Sequence, residues 1–211
     1  TVVGPAAGGR DPGAGAVRLG GADVYPGLRE DFGGQVGYLP QDVELFDGTV
    51  IENIARMGEP DPDAVFEAAK RAGCHEMILA LPKGYETEIG DGGVFLSGGQ
   101  RQLIGLARAL YRAPKLVVLD EPNSNLDGDS EEHLIASLRR IKATLRATVV
   151  FVSHRPPLVQ TADKVMLLRG GAMEMFGPRE AVLRRLMKPV APGQAVTVPP
   201  AGGDVAKQGA V

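Results

Sequence analysis

The chain has 211 residues, a formal net charge of −3 and 44% hydrophobic residues. That is enough apolar material for one medium-sized core, and the lack of a basic excess argues against nucleic acid as a partner. The one cysteine, Cys74, excludes an internal disulfide and reads as a small buried residue. No apolar run is long enough to span a bilayer, and no signal peptide is recognisable. The chain starts at Thr1 rather than methionine. The expectation is therefore a fragment or a processed chain, with any membrane spans carried elsewhere.

Thr1–Val3 reads as the end of a β-strand. Gly4 and Gly9, with Gly8 between them, fit the frame of a P-loop, G-x-x-x-x-G-K-[ST], which cradles phosphate at the start of a helix. The frame then breaks. Arg10 stands where lysine belongs and Asp11 where serine or threonine belongs, and Pro12-Gly13 stops any helix. Arg10 keeps a charge but loses the compact ammonium of lysine. Asp11 adds a negative charge beside a triphosphate, a repulsion of about 4 kcal/mol at ~4 Å and an effective dielectric of ~20. A plain Gly/Pro linker is the alternative reading of 4–13.

Val36-Gly37-Tyr38-Leu39-Pro40-Gln41 is a short strand ending in glutamine. From 50 to about 82 the chain reads as helices. Pro62 suits a first turn after Asp61, and Val65, Ala68, Ala69 and Ala72 share a face. Ser97 and Gln100 have the spacing of a capping box, and Leu103, Leu106, Ala107 and Leu110 form one face of the helix that follows. Gly98 and Gly99 occupy its first turn, where glycine is a poor helix former but opens the backbone N–H groups to a phosphate. Read alone, this is equally an ordinary capped helix.

Leu116–Leu119 has the apolar run of a strand buried on both faces, and it ends in Asp120-Glu121. Acids at the carboxyl end of such a strand lie where α/β sheets bind ligands. Asp120 can hold magnesium and Glu121 can polarise a water; alternatively both merely solvate the strand end. The segment 128–145 is an amphipathic helix with acids at its start (Asp129, Glu131, Glu132) and bases at its end (Arg139, Arg140, Lys142), matching the helix dipole. Val149–Ser153 reads as another buried strand, with His154 at its end. A lone histidine there is ordinarily structural, and His75 and His133 read as surface residues. Residues 164–168 and 172–176 flank a hairpin turn at Arg169-Gly170-Gly171. Pro178 opens a last helix to about Met187, and the Pro/Gly/Ala-rich tail 188–211 is expected to be disordered.

Three strings stand in register: LSGGQ at 96–100, LVVLDE at 116–121 and SNLD at 124–127. They resemble the signature, Walker B and D-loop motifs of the ATP-binding domain of ABC transporters, and the resemblance runs roughly from Val2 to Leu186. It implies an α/β fold, a P-loop NTPase-like core with a mixed sheet plus a helical, signature-bearing subdomain over about 50–112, all within 1–187. The cofactors it implies are ATP and Mg2+. Asp120 and Gln41 would hold the metal, Glu121 would activate water, and Gln41 and His154 would complete the catalytic set. Gly4, Gly8, Gly9 and Arg10 would meet one nucleotide; Ser97, Gly98, Gly99, Gln100 and the D-loop residue Asp127 would meet a partner's. Residues 16–24 resemble a hairpin that lies well beyond the P-loop helix in the family, so about one helix of sequence is missing after Arg10.

The strings YLPQDVELFDGT at 38–49, GYETEIGDGG at 84–93 and DEPNSNLD at 120–127 are similar to those of type I secretion ATPases. That implies a head-to-tail dimer with a second ABC ATPase domain, a transmembrane domain, a membrane-fusion adaptor and an outer-membrane channel. It places the chain on the cytoplasmic face of a bacterial inner membrane. Two other readings stay open. One is a degenerate partner domain that does not hydrolyse ATP. The other is a soluble, non-transport ABC ATPase, which usually carries two such domains per chain.

Overall fold

The computed structural model describes residues 18–19, 22–23, 33–90, 95–124 and 126–187. The expectations for the P-loop frame (Gly4, Gly8, Gly9, Arg10) and for the tail fall outside these residues. Arg18–Leu19 (β1) pairs antiparallel with Ala22–Asp23 (β2), as a hairpin within 16–24 requires.

The central element is a parallel sheet of three strands in the order β3 (Val36–Leu39), β6 (Leu116–Asp120), β7 (Thr148–Val152). Leu39 lies opposite Leu119 and Leu119 opposite Phe151; Tyr38, Val118 and Val150 form the next row. Antiparallel pairing is confined to short separate pairs among the described residues. These are β1 with β2, β4 (Gly48–Thr49) with β5 (Glu88–Ile89), and β8 (Lys164–Arg169) with β9 (Ala172–Pro178).

The helices form where the local signals place them. Thr49 and Glu52 close a capping box on α1 (Val50–Ile54). Asp61 caps α2 (Pro62–Ala72) by accepting from the Ala64 N–H, with Pro62 at its first position. The predicted face Val65, Ala68, Ala69 and Ala72 is fully buried. A short α3 (His75–Leu79) follows. The long helix α4 (Gly98–Leu110) runs back under the sheet to the start of β6, and α5 (Gly128–Thr144) connects β6 to β7. A one-turn α6 (Pro156–Val159) and the terminal α7 (Arg179–Met187) complete the described chain.

The core lies on one side of the sheet. Leu39, Val117 and Leu119 point into it, together with Ile104, Leu106 and Leu110 of α4 and Leu134, Leu138 and Ile141 of α5. Helix α4 packs against β3 with almost no gap: a methyl group on Gly37 would fall 1.8 Å from the carbonyl oxygen of Ala109. Cys74 is fully buried, as composition suggested, and burial pushes its thiol pKa up to about 12.

Two expectations need correction. Strand β7 is not buried on both faces. Its residues are half-buried or exposed, and Val150 is 39% exposed in the same row as Tyr38 at 42%. β7 is the outer strand of the described sheet, whereas Val118 of the central strand, in the same row, is fully buried. An apolar run in sequence does not say which of its two faces is covered. His75 is also not a free surface residue. Its Nδ1 lies 2.9 Å from the Tyr85 hydroxyl, and its ring meets Phe66 edge-on. His133 is exposed, as expected.

Candidate nucleotide site at the carboxyl edge of the sheet

Because the three strands are parallel, their carboxyl ends form one edge, the usual ligand edge of such sheets. Gln41 sits two residues beyond Leu39 and is exposed. Asp120 is the last residue of β6, opposite Val152, and His154 follows two residues later. Adjacent strand ends thus bring Gln41, Asp120, Glu121 and His154 to one rim.

Glu121 is the strained member. Its N–H still donates to the Val152 carbonyl at 3.1 Å, but its φ is +42°. For a residue with a side chain, left-handed backbone costs on the order of 1–3 kcal/mol, and such costs cluster where function requires a side chain to be aimed. Here the turn brings the carboxylate to 3.9 Å from Nδ1 of His154, with the imidazole three-quarters exposed. Such an open pair contributes little to stability; its value is position.

Asp120 has a partner that the sequence did not disclose. Tyr38 shares its side of the sheet, and the tyrosine hydroxyl is held above its usual pKa. Burial is the first cause, followed by the charge of Asp120 and a hydrogen bond to it. The donor set at this edge is two carboxylates and an amide oxygen, hard ligands that suit magnesium. Among the described residues no cluster of three or more His, Cys, Asp or Glu could cage a metal.

The glycine-rich turn opens α4. Ser97 and Gln100 form the capping box reciprocally: Ser97 Oγ accepts from the Gln100 N–H at 3.2 Å, and Gln100 Oε1 accepts from the Ser97 N–H at 2.8 Å. The amides of Gly98 and Gly99 fall in the first turn of α4, where N–H groups have no intrahelical acceptor. Gly99 also faces α5: a methyl group there would lie 2.6 Å from Ser130 Oγ. Asp127 caps α5 by accepting from the Ser130 N–H at 2.9 Å. Hydrogen bonds from the Ser130 side chain, then from its backbone, hold the Asp127 carboxyl below the usual range. The two helices therefore begin side by side. Gln102 Nε2 donates to the Pro122 carbonyl at 2.8 Å, which ties α4 to the turn that follows Glu121.

The family profile described as ABC transporter matches residues 3–124, more than half of the chain. The chain belongs to the ABC transporter family. It is 46% identical over 200 residues to the type I secretion system ATP-binding protein PrsD of Rhizobium meliloti, covering 89% of this chain and 34% of that protein. It is 37% identical over 177 residues to human ATP-binding cassette sub-family B member 6, covering 83% of this chain and 21% of that protein. A solved bacterial Atm1-family ABC exporter with ATP bound superposes with a TM-score of 0.76 at 29% identity, covering 87% of this chain and 32% of the exporter. The chain thus spans about a third or less of the length of these ABC relatives.

Within this ABC transporter chain, sequence reasoning missed Tyr38, Gln102, Asn123, Glu131 and Arg155. Each touches the candidate edge or braces it from another element. Tyr38 and Asn123 lay inside strings already marked, but nothing local distinguishes a bracing side chain from a solvated one.

Proposed function

We propose that this chain is the ATP-binding and ATP-hydrolysing domain of an ABC exporter. The observation that supports it best is the meeting of Gln41, Asp120, Glu121 and His154 at the carboxyl ends of three adjacent parallel strands. Asp120 and the Gln41 amide would hold Mg2+, which when bound neutralises charge on the phosphate oxygens. Glu121 accepts a proton from water as its oxygen attacks the γ-phosphorus and the bond to the β-phosphate bridge oxygen breaks. His154 hydrogen-bonds the transferring group. Ser97 and the amides of Gly98 and Gly99, with Gln100 fixing the turn, bind the γ-phosphate held by a second copy, and Asp127 orders the turn between the half-sites. Gly4, Gly8, Gly9 and Arg10 would contact the nucleotide of their own chain.

In this reading two such domains close head to tail on ATP and drive a transmembrane domain. The 46% identity to a type I secretion protein and the strings at 38–49, 84–93 and 120–127 support protein or peptide as the cargo class. The chain would then work at the cytoplasmic face of the inner membrane with an adaptor and an outer-membrane channel. An ATP-dependent lipid A-core flippase of Burkholderia thailandensis is also a relative, at 36% identity. Lipid export is therefore the competing cargo within the same mechanism.

Magnesium-dependent ATP turnover tests the reading. Glu121→Gln should lower kcat on the order of 100-fold or more and spare ATP binding; unchanged turnover removes Glu121 as the base. A second reading is motivated by Arg10 and Asp11 in the phosphate loop frame. There the chain lends its glycine turn to a competent partner and binds little ATP itself. Tight magnesium-dependent ATP binding at 4–11 would sink it.

A further inference from the structure

His154 is three-quarters exposed, and among the described residues its ion-pair partner is Glu121 at 3.9 Å. Its position must therefore come from its neighbours in the chain, and both are tethered. On one side, Ser153 Oγ donates to Oδ1 of Asn123 at 3.3 Å and accepts from the Arg155 N–H at 3.1 Å. On the other, the Arg155 guanidinium reaches Oε2 of Glu131 at 3.5 Å. Asn123 closes the ring by donating from Nδ2 to Oε1 of Glu131 at 2.8 Å.

The ring is well placed to hold a register. Asn123 is only 2% exposed, so its amide has few alternatives in water and is costly to leave unpaired. The side chain of Glu131 is 15% exposed and bonds to both members, one oxygen each. Asn123 sits two residues after Glu121, in the same turn that Gln102 braces and that the Ser124 N–H closes onto the Glu121 carbonyl. One end of the ring thus fixes the Glu121 turn, the other brackets His154, and α5 supplies the rigid bar between them.

We propose that Asn123 and Glu131 are positioning residues that hold His154 in register with Glu121 through Ser153 and Arg155. The inference rests on the reading of Glu121 and His154 as parts of a hydrolytic site. Loss of either residue would leave ATP contacts in place but release the histidine loop. Misplacing a catalytic group by ~1 Å can cost on the order of 100-fold in rate.

The test uses the full chain with Asn123→Ala, Glu131→Gln, the double variant, and Glu132→Gln as an exposed control on the same helix. Two readouts are taken after urea unfolding has established that each variant is folded. One is the His154 Cε1–H resonance, assigned by its loss in His154→Ala. The other is the split of ATP turnover into kcat and KM. The expected result is a displaced His154 resonance in both single variants and a kcat lowered on the order of 10- to 100-fold with KM unchanged. The double variant should be no slower than the worse single, since both act through one ring. A His154 resonance at the wild-type position in Asn123→Ala and Glu131→Gln overturns the proposal, and so does a fall in kcat equal to that of Glu132→Gln. If the unaltered chain turns over no ATP, the hydrolytic reading fails, and the histidine resonance alone still decides whether the ring positions it.

Discussion

The close approach of α4 to β3 makes Gly37→Ala a sharp perturbation. The added methyl would sit 1.8 Å from the Ala109 carbonyl oxygen, 2.8 Å from its carbon and 3.2 Å from Cγ of Pro114. A carbon and a carbonyl oxygen do not normally approach closer than ~3.3 Å, so strand and helix would have to part by about 1.5 Å. The obstacle is backbone in the last turn of α4, not a side chain that could rotate away. Overpacking of this kind costs about 1–3 kcal/mol and occasionally more. The reduced freedom of the unfolded chain returns only ~0.4–1 kcal/mol. With the overpacking cost at the upper end of its range, about 3 kcal/mol, urea unfolding followed by circular dichroism should show a net loss of about 2–2.6 kcal/mol, a midpoint lower by about 1–1.3 M for a slope near 2 kcal/mol per M. Gly34→Ala is the control: nothing lies within 4 Å of its added methyl, and its effect should stay within about 0.5 kcal/mol. If the two variants unfold together, the packing of α4 on β3 is not as described. The same experiment bears on function, because β3 carries Gln41 at its end.

Two further outcomes follow from titrating groups. Cys74 is fully buried with its thiol pushed up to about 12, so a thiol reagent at pH 8 should leave the native chain unmodified and label it completely in denaturant; rapid labelling of the folded chain would contradict its burial. The Asp127 carboxyl is held low by Ser130, so its ionised form is the one folding favours. That stabilisation is present above the unfolded value, ~3.9, and is lost as pH falls through the lower folded value. The stability difference between the wild type and Asp127→Asn should therefore be constant near neutrality and shrink below about pH 4. A difference that grows with acid would reverse the sign.

The parts of the molecule legible in sequence are those set by neighbours in the chain. Ser97 with Gln100 and Asp61 with Pro62 announce their helix starts within four residues, and both caps form. Val117–Leu119 is buried as its apolar run implies. The parts that were not legible depend on register and on which elements meet. Nothing in Tyr38 shows that the parallel pairing of β3 and β6 will set it beside Asp120. Asn123 and Glu131 are eight residues apart across a turn and a helix start, and their bond depends on the path of that turn. Gly37 looked like any strand glycine until α4 came to lie on it. Thr148–Val152 was misread for the same reason: its residues make a strand, but only the neighbouring layers decide how far it is buried. The candidate site lies between these cases. Its residues were marked by motif, and the parallel sheet brings their strand ends together.

In the proposed mechanism each ATP is held between two copies, one lending Glu121 and the other the glycine turn. Mixing two inactive variants tests it most directly. Glu121→Gln removes the proposed base, and Ser97→Arg blocks the turn, so each alone should be nearly inactive. In a mixed pair, both lesions fall in one site and the other site is intact. A two-fold dimer then predicts recovery of about a quarter of wild-type turnover, from half the dimers being mixed and one of their two sites being whole. No recovery on mixing, with both variants folded and dimeric, would contradict a shared site.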